Sequence, residues 1–200
     1  MTELKKKRVK TVLKYTWPFY ILGGIVAYLM MSAIFSITHP VPAYKTLTLF
    51  VSGEITNSDK LREDILSKYE NNNLKSLSYI ASRPTDSEYS TKLTVAGYSS
   101  ADILIIPASK LENLNVSSFA INLQNKLISE YFGNYSFYSQ DNDKYGVMID
   151  KNKVNQYMAL PAEDCYMFLN GRSQNLGEYS LKKPIKEHDN ALNVVKEWGM

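Results

Sequence analysis

Ala101-Asp102-Ile103-Leu104-Ile105-Ile106-Pro107, ADILIIP, is the stretch on which the fold turns. It carries four consecutive branched aliphatics. A strand with one wet face alternates apolar and polar residues, whereas a short unbroken aliphatic run reads as a strand covered on both faces. Ile103 to Ile106 are therefore expected to form a central strand, with Asp102 opening it and binding backbone there.

Working outward toward the N-terminus, Thr85 and Glu88 have the spacing of a capping box, ahead of Tyr89, Leu93 and Ala96 at helical intervals. Gly97 is the expected stop of that helix. Lys75 to Ala81 reads as a strand, Ser58 to Tyr69 as a helix striped by Leu61, Ile65 and Tyr69, and Thr46 to Val51 as the first strand. Asn71-Asn72-Asn73 stops the first of these helices. Toward the C-terminus, Phe119, Leu123, Leu127 and Tyr131 predict a helix over Ser117–Tyr131, ended by Gly133. Tyr135–Tyr138 and Tyr145–Ile149 pair as a hairpin around Gln140-Asp141-Asn142-Asp143. Asp164–Leu169 is a further apolar strand, and a last helix runs from Asn190, as its cap, to Trp198. The β-α-β-α-β-α alternation predicts a parallel sheet with helices on both faces, a three-layer α/β domain.

A second stretch places this domain. Trp17 to Ile37, WPFYILGGIVAYLMMSAIFSI, has no charged residue in 21 positions. At ~1.5 Å per residue it reaches roughly 31 Å, the hydrocarbon thickness of a bilayer. The expected organisation is a basic cytoplasmic tail over residues 1–16, a transmembrane helix over 17–37, a stiff spacer over 38–44 with Pro40 and Pro42, and an outer domain over 45–200. Lys5, Lys6, Lys7, Arg8, Lys10 and Lys14 precede the span, and the next basic residue is Lys45. The positive-inside bias puts the N-terminus in the cytoplasm and the C-terminal domain outside, as a single-pass protein of the cell membrane. Tyr15, Trp17, Phe19 and Tyr20 suit an aromatic belt at the inner interface, and Pro18 suits the first helical turn. Val41-Pro42-Ala43 offers a cleavage site, but signal-peptide cores run about 7–15 residues, so the length favours an uncleaved signal-anchor. Gly23 and Ala27 form a small-xxx-small pair of the kind frequent in apolar helices, and no cysteine near the span offers a lipid anchor.

Composition narrows the chemistry. Of 23 basic and 20 acidic side chains, six and one lie in the first 14 residues, leaving 17 and 19 beyond. The outer domain is thus near neutral, which argues against nucleic acid as a partner. Cys165 is the single cysteine, so no internal disulfide exists, and its place in CYMFL is that of a buried small hydrophobe. His39 and His188 are far apart and give no metal-ligand spacing. No phosphate-cradling, nucleophile-elbow or zinc-protease motif is present, so the expectation is a protein without catalysis, cofactor or metal. Glu54, Asp86, Glu88 and Asp102 read as solvated or capping carboxylates. Asn115-Val116-Ser117 and Asn134-Tyr135-Ser136 match the glycosylation sequon, while 19 Lys against 4 Arg with 16 Asn suits a low-GC bacterial source, where sequons carry nothing.

Thr46–Gly53 (TLTLFVSG), Lys75–Ala81 and Ser100–Ile106 (SADILII) together resemble the opening of the extracytoplasmic solute-binding proteins of ABC importers. Tyr166–Asn170 followed by Ser173-Gln174-Asn175 is similar to that family's Asn-x-x-Ser-x-Asn turn before an apolar helix. Family members close two α/β lobes on a ligand. The 157 residues from Tyr44 allow one, so the resemblance implies a single periplasmic-binding-protein lobe with the second reduced between Tyr138 and Glu163. It implies strand order 2-1-3 and a site beyond the strands' carboxyl ends. The loops there supply Ser52, Gly53 and Glu54, then Ser82 and Arg83, then Ser109 and Lys110 after Ala108. The implied function is weak recognition of a small polar solute or peptide beside a transporter permease or a sensor. The alternative is a non-catalytic accessory module that contacts a membrane protein.

Overall fold

The computed structural model describes residues 3–38, 41–69, 74–181 and 184–200, which fall into two compact units, Met1–Val41 and Pro42–Met200. The first unit is one helix, Glu3–Thr38. Its segment Thr16–Phe35 is 20 residues long with mean hydropathy 1.8, enough by length and composition to cross a membrane, a property shared by anchors and signal sequences. Pro18 lies inside the helix and not in its first turn, because the basic stretch before it continues the same helix. Of the expected spacer, His39 and Pro40 lie outside the described residues, Pro42 is extended, and Ala43–Lys45 form a short 3-10 turn.

The second unit is built on a six-stranded sheet. Its strands are β1 (Thr46–Val51), β3 (Ser76–Ala81), β4 (Ile103–Pro107), β5 (Phe137–Gln140), β6 (Asp143–Met148) and β8 (Cys165–Leu169), in spatial order β3-β1-β4-β8-β6-β5. A separate two-stranded ribbon pairs β2 (Glu54–Ile55) with β7 (Met158–Ala159). The first three sheet strands stand in the expected 2-1-3 order, and β1 pairs in parallel with both β3 and β4. Every residue of β4 is buried. Ile103 and Ile105 face a core shared with helices Ser58–Lys68 and Asn190–Trp198, whereas Leu104 and Ile106 face a second core with Tyr89 and Leu93. Helices therefore cover both faces, and the layered α/β architecture follows from the aliphatic run.

The sheet is mixed, not parallel throughout. β8, β6 and β5 are antiparallel additions, with β8 against β4 and the β5–β6 hairpin beyond it. The hairpin turns on Asp141 and Asn142, both at positive φ, as a two-residue turn requires. The helix expected over Ser117–Tyr131 does not form as one element, so no third helical crossover follows β4. Phe119 packs in the second core while Leu123 and Leu127 pack in the first, so the apparent stripe is a segment passing from one face of the sheet to the other. Ala120 bridges Asn170 at the sheet end, between a short 3-10 turn at Val116–Ser118 and helical turns that begin at Asn125.

Three helix-end signals differ from expectation. Glu88 makes no capping bond and pairs with Lys92, while Asp86 receives the Arg83 amide. Helical turns run on past Lys92 through a π segment, Leu93–Gly97, to Ser100, so Gly97 does not end them. A Cβ there would stand 3.1–3.4 Å from Leu93, Leu104 and Phe50, so the glycine serves close helix–sheet packing. Asn190 is not a cap; Asp189 holds that place, and Asn190 is buried with its amide donated to Asn175 at 3.4 Å.

Candidate functional site

The loops at the carboxyl ends of β1 and β4 meet at Tyr89, and the loop after β3 meets the loop after β1 through Arg83 and Glu54. Ser52 is fully buried, its amide extends the ladder to the Ile105 carbonyl, and its hydroxyl shares a 2.7 Å hydrogen bond with the Tyr89 hydroxyl. Gly53 is buried where a Cβ would stand 2.4 Å from the Ala159 carbonyl, so only glycine admits the β2–β7 ribbon across this end of the sheet. Glu54 and Arg83 form an exposed ion pair. Ser82, buried, donates to Asp86 at 3.2 Å, and the Arg83 amide donates to the same carboxylate at 2.8 Å. Ser109 donates its amide and its hydroxyl to the two oxygens of Glu163, each at 2.7 Å, and these bonds hold the Glu163 carboxyl below the ordinary carboxylate range. The Lys110 ammonium stands 5.7 Å from the Tyr89 ring centre.

The predicted residues thus separate into two clusters. Glu54, Ser82 and Arg83 line an open groove with Asp86. Ser109 and Lys110 line a concavity of about 340 Å³ between helical segment 89–100 and the loop after β4, with Tyr89, Leu93, Tyr98 and Asn113 among its walls. Ser52 lies buried and offers no side chain to solvent, while Gly53 contributes backbone to the wall of the Glu54–Arg83 groove. Sequence reading missed Tyr89, placed only as a member of an apolar stripe, and Glu163. The signal for Tyr89 was its hydroxyl, since a buried phenol needs a partner. Glu163 is 54 residues from Ser109 and gives no local sign.

The opposite end of the sheet holds a buried polar network. The Asp102 carboxylate accepts the Thr48 amide at 2.7 Å and the Ser173 hydroxyl. Ser173 in turn accepts the Asn175 amide, and the Asn175 side chain donates to the Thr46 carbonyl at 2.9 Å. Asn170 donates to the Tyr98 carbonyl at 3.0 Å and receives the Arg172 amide. The Tyr44 ring stacks on His188 at 3.9 Å nearby in the chain's entry to the domain. The Asn-x-x-Ser-x-Asn turn therefore ties the end of β8 to the starts of β1 and β4. Burial pushes the Asp102 carboxyl up to about 6, against the lowering effect of the Ser173 and Thr48 bonds. A cavity of about 260 Å³ opens beside it. The Cys165 thiol is fully buried and pushed up to about 11 by that burial. No protein-family model, curated protein or solved structure matches this chain.

Proposed function

We propose that the chain is a membrane-anchored, extracytoplasmic solute-binding-like module, without catalysis of its own, that recognises a small polar solute or peptide weakly beside a transporter permease or a sensor. The observation that carries this reading is the concavity edged by Tyr89, Ser109 and Lys110, polar and aromatic at once and placed at the carboxyl end of β4. An accessory surface would call for an exposed apolar patch, and beyond helix Glu3–Thr38 the exposed large apolar side chains among the described residues are Val41, Val95, Leu181 and Met200, far apart in sequence. The resemblance to importer solute-binding proteins and the basic residues ahead of the apolar helix support the anchoring and the orientation.

The accessory reading has one observation in its favour. The Glu54–Arg83 and Ser109–Glu163 contacts already occupy polar groups that a ligand would use. One wall buries roughly half of what two lobes would, and every 1.4 kcal/mol is tenfold, so binding no tighter than high micromolar is expected. Calorimetry of the full chain in lipid nanodiscs against sugars, amino acids and short peptides tests this. A weak hit lost in Lys110→Ala supports solute recognition. A submicromolar hit overturns the single-wall argument, and silence with a co-purifying membrane protein moves the reading to the accessory module.

A further inference from the structure

The cavity at the other end of the sheet has a chemistry that the proposed solute site does not use. Its lining includes Asp102, a residue more than nine-tenths buried. Burying a carboxylate is costly unless a cation pairs with it. Among the described residues the ion pairs join Lys68–Glu197, Arg83–Glu54, Lys92–Glu88 and Lys126–Glu178, and none reaches Asp102. Of the five hydroxyls lining the cavity, those of Ser99, Ser100 and Ser173 have their protons committed, and Thr46 and Thr48 supply the other two. Ser99 donates to the Val95 carbonyl, Ser100 to the Ala96 carbonyl, and Ser173 to Asp102 itself. What they have left to offer is lone pairs. The cavity thus offers acceptors beside one buried carboxylate, has the Arg172 guanidinium at its rim, and at about 260 Å³ suits only a small guest.

We infer that the cavity bounded by Asp102, Ser100 and Ser173 binds a small primary ammonium ion. Such an ion brings the missing positive charge and three N–H donors, which match a carboxylate flanked by hydroxyl oxygens. A divalent metal fits less well, since one carboxylate is too few, and no group of three or more metal-binding side chains occurs among the described residues. Arg172, exposed at the rim, opposes a cation and sets a limit on affinity.

The test uses the full chain in nanodiscs at about pH 7.5, where the carboxyl is ionised. Ethanolamine at about 50 mM is expected to raise the unfolding midpoint by about 3–6 °C, the shift of a ligand at roughly ten times its Kd in a domain of this size. Sodium and tetramethylammonium at the same concentration should give no such rise. Asp102→Asn keeps the shape and removes the charge, so it should lose the ethanolamine response. Arg172→Ala should strengthen that response, and Lys110→Ala, in the solute concavity, should leave it unchanged. Amide NMR of the wild type, needing no variant, should show ethanolamine shifts at Thr48, Ser100 and Ser173. An equal response to sodium or tetramethylammonium, a response kept in Asp102→Asn, no response in the wild type, or shifts confined to other residues would each overturn the inference. None of these results bears on the concavity at Lys110, whose own test is calorimetric.

Discussion

Single residues in this domain serve the meeting of distant segments. Gly146 on β6 stands opposite Phe168 on β8, and a Cβ there would come within 2.7 Å of the Phe168 ring, so the ring lies across the glycine. Asp102 ties three strands at a cost in charge burial. Its carboxyl is pushed up to about 6, above the ordinary value near 4, so the folded chain binds a proton that the unfolded chain has released. Stability therefore falls as pH rises from about 4 to about 6, and the full cost is present above that window. Asp102→Asn removes the titration. It should match wild type near pH 4 and exceed it at about pH 7.5 by up to roughly 3 kcal/mol in urea unfolding. Comparing variant with wild type at each pH cancels Glu163, whose lowered carboxyl acts in the opposite sense. A constant difference between the two proteins from pH 4 to 7.5 would refute the assignment.

At the scale of elements, β4 carries the fold. Leu104 and Ile105 are both fully buried, yet they face opposite cores. Leu104→Asp and Ile105→Asp each place an unpaired carboxylate in one of them, and each should destabilise by several kcal/mol, read as a loss of the denaturant midpoint. If either variant melted like wild type, the two-sided burial of β4 would be wrong. The contrast with segment 116–132 is instructive. Its i+4 spacing imitates an amphipathic helix, but Phe119 and Leu123 answer to different cores, and helical turns occupy only its ends. Periodicity reports that residues are buried; it does not report that they are buried against the same neighbours.

At the scale of the molecule, the helix Glu3–Thr38 and the unit Pro42–Met200 are separate bodies, so the function proposed here depends on what the helix does in the cell. An anchor leaves the chain whole, and the mature protein should retain Trp17–Ile37 by mass spectrometry. With the basic end inside, protease added to intact spheroplasts should digest the C-terminal unit and spare the N-terminal tail. A mature N-terminus at Tyr44 would establish cleavage instead, and a protected C-terminal unit would reverse the orientation.

The sequence by itself determined the kind of each sheet strand and the middle of the sheet, though not the course of segment 116–132. Residues 103–106 announce burial on two faces because a strand has only two faces to bury, and Asp141-Asn142 announces a turn because its backbone needs positive φ. Thr46–Val51, Lys75–Ala81 and Asp164–Leu169 are legible for the same local reason. Tertiary structure alone decided that β8 runs antiparallel to β4 with the hairpin beyond it, that Glu163 and Tyr89 meet the polar loops, and that Asp102 lies in a cavity outside every ion pair among the described residues. Tyr89 reaches Ser52 across 37 residues, Glu163 reaches Ser109 across 54, and Ser173 reaches Asp102 across 71. No periodicity of 2 or 3.6 spans such distances. The partners are set by β8 packing against β4, which brings the Asn170–Asn175 turn to the start of one strand and Glu163 to the end of it.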